Sequence, residues 1–221
     1  MSTPRDYCVF LGGGAHAAIL IECLRSAGRD IVRAILDTNQ SMWGKDVLGV
    51  PIRGGDDLLP ELINEGADSF AVGVGTQGGM RLRRPLFEMG TSAKLEALTV
   101  VHPTAFVSPT AQLGPGVFLM PQTVVHTRAR LGANVVIHSG GIIEHDCVLG
   151  DHVHVGPGAN FAGAITVGEE THIGIGASIR EGTRIGRGVI VGAGAVIVKD
   201  VPDNVIVAGV PARIMKELQP K

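Results

Sequence analysis

Aromatic residues make up only 4 % of this 221-residue chain, and charged residues only 18 %. A core with so few rings must be filled by small and β-branched side chains, which favours narrow, repeated layers over one bulky centre. The 19 Lys and Arg nearly balance the 21 Asp and Glu, for a formal net charge of −2, and the isoelectric point is near 6.4. That leaves no basic field with which to hold nucleic acid. The three cysteines, Cys8, Cys23 and Cys147, show neither CxxC spacing nor an even-numbered framework. This excludes a disulfide scaffold and points to a reducing, cytoplasmic setting. No apolar run reaches the roughly 18 residues of a membrane span, and residues 1–6 carry one Arg and one Asp rather than an apolar leader. The chain has 32 glycines, about twice the usual share, but no Gly-X-Y period, so a collagen is excluded. Disorder is excluded by what is abundant: 45 % hydrophobic residues and a mean hydropathy of +0.28 are far too apolar for a chain that stays unfolded.

A period of six rules the second half. From Val101 in steps of six to Ile197, every residue is aliphatic except Phe161. Four positions after each stands a mostly small residue, among them Ala105, Ala111, Thr123, Ala129, Cys147 and Ala159. One position after the aliphatic residue, glycine recurs at Gly114, Gly132, Gly150, Gly156, Gly168, Gly174, Gly186 and Gly192. Six is neither the 2.0 of a strand nor the 3.6 of a helix. It fits a short strand plus a tight corner, stacked as a parallel β-helix. The aliphatic residue fills the prism, the small residue packs at the bend, and glycine suits corners that need close backbone approach or a positive φ. A β-sandwich with chance spacing is the alternative, and a register held over about 100 residues weighs against it.

The first hundred residues read differently. Residues 7–11, 31–36 and 69–74 are short apolar strands; 15–26, 57–65 and 80–89 are helix candidates; Gly12-Gly13-Gly14 and the stretch from Gly75 to Gly79 are loops. Alternating strands and helices imply a small, Rossmann-like parallel sheet. The chain thus divides into an α/β domain over 1–100 and a β-helix domain over 101–221. The loop before residue 15 resembles a nucleotide-binding turn, in which glycines let the backbone approach phosphate at a helix N-terminus. Asp37 closes the second strand a little over 20 residues on, where a carboxylate can hold a ribose or base group. Gly12-x-Gly14-x-x-Ala17 departs from the strict dinucleotide fingerprint, and glycines that only make tight turns are the competing reading.

Two motifs carry a resemblance that spans nearly the whole chain: Gly13-Gly14-Ala15-His16, and Ile143-Glu144-His145-Asp146-Cys147 followed by His154-Val155-Gly156-Pro157-Gly158-Ala159. Set on a small α/β domain and a hexapeptide β-helix, they resemble the bacterial nucleotide-sugar N-acetyltransferases of the PglD/NeuD type. The family often has Gly or Ser in place of Ala15. The resemblance implies a left-handed β-helix and an acetyl-CoA-dependent acetylation of the amino group on a UDP- or GDP-linked sugar, such as a 4-amino-4,6-dideoxy sugar. It implies a homotrimer with active sites between neighbouring β-helices. It matches His145 to the catalytic histidine and Asp146 to the acid that orients its ring. It places His154 on acetyl-CoA across the subunit boundary, and Gly163, Ile175 and Ala193 along the pantetheine groove, although Ala193 replaces a glycine of relatives. Gly14, Ala15, His16, Asp37, Thr38 and Gly75 would hold the nucleotide sugar. The segment from Val207 to Arg213 resembles the family's closing segment, so a short amphipathic helix over 212–218 is expected to cap the prism.

The chemistry is consistent with those residue types. Acetyl transfer to an amine needs proton removal, stabilisation of the thioester oxygen and alignment of two substrates, but no covalent intermediate. Imidazole suits the base role near neutral pH, and a neighbouring carboxylate stabilises imidazolium. Cys147 falls at the small-residue phase and reads as packing. His126, Glu144 and His138 lie near His145 and serve either the sugar pocket or local hydrogen bonding; His172 reads as a solvated edge. No metal is expected: the histidine pair and distant third ligand of β-helix carbonic anhydrases are missing here, since His102 and His138 have two-coil spacing but position 143 is Ile. Another CoA-dependent O- or N-acyltransferase of serine or sialic-acid type, and a non-catalytic nucleotide-binding scaffold, are the alternatives. The α/β domain argues against the first, and a base at His145 against the second.

Overall fold

The structure, a computed structural model, describes residues 7–75 and 82–219. The expectations for residues 1–6, for the loop at 76–79 and for a helix start at Met80 lie outside them. The chain divides into two compact units, Met1–Val100 and Val101–Lys221.

In the first unit the elements run β1 (Cys8–Leu11), α1 (Ala15–Ser26), β2 (Val32–Leu36), β3 (Asp46–Val47), β4 (Val50–Gly54), α2 (Leu59–Asn64), β5 (Ser69–Val72), α3 (Arg83–Ser92) and β6 (Glu96–Ala97). The sheet order is β3-β4-β2-β1-β5-β6. β1 lies between β2 and β5 and is parallel to both. Cys8, Val9, Phe10 and Leu11 are all buried, as in a strand covered on both faces. Three expected strands and α1 appear within a residue or two. α2 starts later than expected because Asp56–Leu58 forms a 3-10 turn first. The β3–β4 edge hairpin was not legible: β3 has two residues, and its turn places the non-glycine Leu48 at a φ of 52°.

The second unit is a parallel β-helix. Two-residue strands recur every six residues from Val100–Val101 to Val196–Ile197 and stack into three parallel sheets. Strands eighteen residues apart pair, as His154 with His172 and Val155 with Ile173. The aliphatic and small phases share one buried core, Ile137, Ile143, Val155 and Ile173 meeting Ala129, Cys147, Ala159 and Ala177. Burying each aliphatic side chain contributes about 1.5–3 kcal/mol.

The corners separate two demands that the glycine pattern had merged. Positive φ falls every six residues from Gly116 to Gly194, three positions after the core aliphatic, and half of these corner residues are not glycine: Gln122, Arg128, Asn134, Asp146, His152, Ala164 and Glu170. The glycines one position after the aliphatic serve close approach instead. A Cβ on Gly168 would stand 2.5 Å from the Arg187 nitrogen in the next coil.

The expected C-terminal helix is corrected by the structure: Ala212–Glu217 is a strand, antiparallel to Val205–Gly209. Val205–Gly209 extends one sheet of the prism beyond Ile190–Val191, which leaves an open row of peptide groups. A second strand satisfies them; a helix here would have left that edge bare. Among the described residues, no helix is long and apolar enough to cross a membrane.

Candidate active site

In the first unit the parallel strands aim their C-terminal ends the same way, and the loops after β1, β2 and β5 gather there. Gly14 is the N-cap of α1 and supplies no side-chain cap, so the first helical N–H groups keep their capacity for an anion. Ala15 is exposed at the first turn, whereas His16 is buried. A Cβ on Gly75 would touch the His16 side chain at 3.6 Å. Asp37 is committed to the backbone. Its Oδ2 accepts the Gly13 N–H at 2.7 Å and its Oδ1 the Asn39 N–H at 2.8 Å. Thr38 is exposed beside it. The structure therefore assembles Gly14, Ala15, His16, Asp37, Thr38 and Gly75 at one end of the sheet.

Sequence reasoning missed two neighbours there. Trp43, 42 % exposed, donates its indole N–H to the Asp37 carbonyl at 2.7 Å. Arg83 is fully buried, and its Nη1 donates to the Val74 carbonyl at 2.6 Å. Burial pulls its guanidinium down to about 10. Only the singularity of the chain's one Trp could have signalled the first; a buried Arg in a cluster of basic residues gives no signal.

In the second unit His145 and Asp146 occupy one corner. Asp146 sits at the left-handed position, with a φ of 60°. His145 Nδ1 and Asp146 Oδ2 are 2.9 Å apart. Arg128, one coil earlier, meets the same carboxylate with two bonds, Nε to Oδ1 at 2.7 Å and Nη2 to Oδ2 at 2.8 Å. Arg128 first, and then His145, hold the Asp146 carboxyl well below the usual carboxylate range. An ionised carboxylate only accepts, so Nδ1 donates and the neutral ring carries its lone pair on Nε2. The Cys147 thiol points elsewhere: Sγ donates to the Ala162 carbonyl at 3.2 Å, and burial pushes the thiol up to about 11.

Gly163 follows His145 by one coil, and the imidazole lies across it. A Cβ there would stand 2.5 Å from both Cε1 and Nε2. His154 lies elsewhere, buried on a face of the prism, its ring 5.1 Å from that of His172 and 4.6 Å from that of His138. His172 is thus part of a stack rather than a solvated edge, and burial lowers its basicity. Ile175, 61 % exposed, and Ala193, also exposed, stand one coil apart at a different corner from His145. One chain does not bring His154, Ile175 and Ala193 together with His145. His126 binds locally, its Nδ1 accepting the Thr127 N–H at 2.8 Å. Among the described residues, no group of three or more His, Cys, Asp or Glu side chains is placed to hold a metal ion.

Comparison with known proteins adds to this geometry. Residues 164–199 match the family model described as bacterial transferase hexapeptide (six repeats). No curated protein sequence matches the chain. A substituted form of perosamine N-acetyltransferase from Caulobacter crescentus, in complex with CoA and GDP-perosamine, is similar with a TM-score of 0.90 and 37 % identity, over 98 % of this chain and 100 % of that one. The acetyltransferase domain of PglB from Neisseria gonorrhoeae FA1090, in complex with acetyl coenzyme A, is similar with a TM-score of 0.86 and 34 % identity, over 96 % of this chain and 100 % of that one. WeeI from Acinetobacter baumannii AYE has a TM-score of 0.80 and 25 % identity, over 95 % of this chain and 99 % of that one.

Proposed function

Because the chain belongs to the hexapeptide-repeat nucleotide-sugar N-acetyltransferases, and so transfers the acetyl group of acetyl-CoA to the amine of a nucleotide-linked sugar, we propose that its acceptor is a GDP-linked amino sugar and its base His145. The acceptor rests on the likeness to the perosamine enzyme, whose complex holds GDP-perosamine. The residues at the strand ends of the first unit hold the nucleotide, with phosphate at the N-terminus of α1. His145 Nε2 takes the proton as the sugar nitrogen attacks the thioester carbonyl. The new C–N bond forms, the C–S bond breaks, and CoA leaves as its thiolate. Asp146 holds the ring and offsets the positive charge that develops on it. The observation that carries this reading is the 2.9 Å contact of His145 Nδ1 with Asp146, which leaves the lone pair at Nε2.

His154, Gly163, Ile175 and Ala193 form the acetyl-CoA side, and the enzyme works as a homotrimer. In support, His145 and the exposed Ile175 lie at different corners of one prism, so a neighbouring prism is needed to join them. Light scattering should give three times the 23.0 kDa chain mass; a fully active monomer would overturn the trimer.

The substrate is tested by thiol release from acetyl-CoA with a panel of GDP- and UDP-linked 4-amino sugars, each product weighed by mass spectrometry. Acetylation of the GDP-linked members is expected. Preference for UDP-linked acceptors overturns the nucleotide assignment, and no turnover on any member overturns the acceptor class.

A further inference from the structure

We propose that Arg128 is a positioning residue for acetyl transfer, acting through Asp146 on the ring of His145; this rests on the reading of His145 as the base. Arg128 and Asp146 occupy the same left-handed phase of neighbouring coils, with φ of 57° and 60°. The coil ladder fixes their backbones, the Asp146 N–H donating to the Thr127 carbonyl at 3.0 Å. From that base the guanidinium forks onto both carboxylate oxygens, at 2.7 and 2.8 Å. Two parallel charge-assisted bonds set the plane of a carboxylate as well as its place. Oδ2, the oxygen taking Nη2, is also the oxygen taking His145 Nδ1 at 2.9 Å. The direction of the imidazole is therefore inherited from Arg128.

Stability does not account for this pair. The Arg128 side chain is 64 % exposed, and ion pairs that wet contribute little to folding. A contrast stands at another corner, where Asn134 and His152 make the same one-coil pairing between buried side chains, 3.0 Å apart. That pair closes a corner. The Arg128 pair borders an exposed imidazole, and its charge keeps Asp146 an acceptor, which pins the ring proton on Nδ1 and the lone pair on Nε2.

The test uses Arg128→Gln, Arg128→Lys, and Arg128→Gln combined with Asp146→Asn, in the full chain. Thiol release gives kcat and both KM values, thermal unfolding reports the fold, and nitrogen chemical shifts report the His145 tautomer, its signals identified by their loss in His145→Ala. Arg128→Gln should lower kcat ~10- to 100-fold, as misplacement of a reacting group does, with KM values and melting temperature nearly unchanged. Arg128→Lys, which keeps charge but not the fork, should recover part of the loss. Arg128→Gln should add nothing once Asp146→Asn is in place. In the wild type the ring should show one tautomer, and in Arg128→Gln a mixture. An unchanged kcat with an unchanged tautomer overturns the proposal, as does a loss that adds in full to that of Asp146→Asn. Should the wild type acetylate no nucleotide amino sugar, the functional reading fails, and the nitrogen shifts alone decide the role of Arg128.

Discussion

The imidazole of His145 rests on Gly163, one coil further along the prism, at a separation that a single methyl group would close to 2.5 Å. The glycine was expected to serve acetyl-CoA; its immediate use in the chain is to seat the ring. What it would strike is a side chain 47 % exposed, which can swing away.

Gly163→Ala should therefore lower kcat, by about 10- to 100-fold, while the melting temperature holds. Gly168→Ala is the contrast, because its Cβ would meet the Arg187 nitrogen at 2.5 Å, and backbone in a stacked coil cannot yield cheaply. That variant should melt earlier and lose activity only as it unfolds. Kinetics and thermal melts on both variants check the pair.

His145→Ala should cost ~10²–10⁴-fold in kcat, the range for loss of a general base, with the nucleotide sugar still bound in calorimetry. Asp146→Asn should cost less, since it keeps the hydrogen-bonding shape and removes the charge.

The pH dependence should separate Asp146 from the base. Because Arg128 and His145 depress the Asp146 carboxyl, its share of folding stability, small for so exposed a pair, is complete above the ordinary carboxylate range. That share is lost only as pH falls through the depressed value. Activity should thus fall on the acid side well before Asp146 protonates, and a kcat/KM profile whose acid limb persists in Asp146→Asn would confirm the order.

Cys147→Ala should keep most of the activity. Burial pushes this thiol up to about 11, so at neutral pH it is not the thiolate that a covalent route needs. Mass spectrometry of the enzyme mixed with acetyl-CoA alone should find no acetylated protein.

Asp37→Ala should weaken binding of the nucleotide sugar and leave CoA binding nearly unchanged. The carboxylate ties down the Gly13 and Asn39 N–H groups, so the loop that faces the ligand loses its fastening. Calorimetry with each ligand separates this from general unfolding, which would remove both.

The β-helix was legible because its core repeats one kind of residue at one phase, and Val101 through Ile197 hold that phase without a break. Its corners were not, because Gln122, Arg128, Asp146 and Glu170 adopt left-handed backbone without the glycine that ordinarily marks it. His145 and Asp146 are adjacent in sequence and readable together. Arg128 belongs with them only once the eighteen-residue coil is taken as a ruler and opposite charges are sought one coil apart. Asp37 stood out as a carboxylate at a strand end, yet nothing in the sequence shows that both of its oxygens are spent on backbone N–H groups. The final strand misled because the helix was expected from the likeness of residues 207–213 to the family's closing segment, and six residues, Ala212–Glu217, are too few for periodicity to correct it. What decides is the open sheet edge beside them.

The ladder also sets how such a chain can change length over evolutionary time. Arg128 meets Asp146, and His145 meets Gly163, because each pair lies one coil apart, so the corner is written in a frame of eighteen. Duplicating a whole coil beyond Gly163 lengthens the prism and spares this corner. The same duplication between Arg128 and Asp146 keeps every core contact in phase yet parts the guanidinium from its carboxylate. A single-residue insertion there does worse, turning core residues out toward water. The enzyme's length is thus quantised, and only some of its allowed lengths are catalytic.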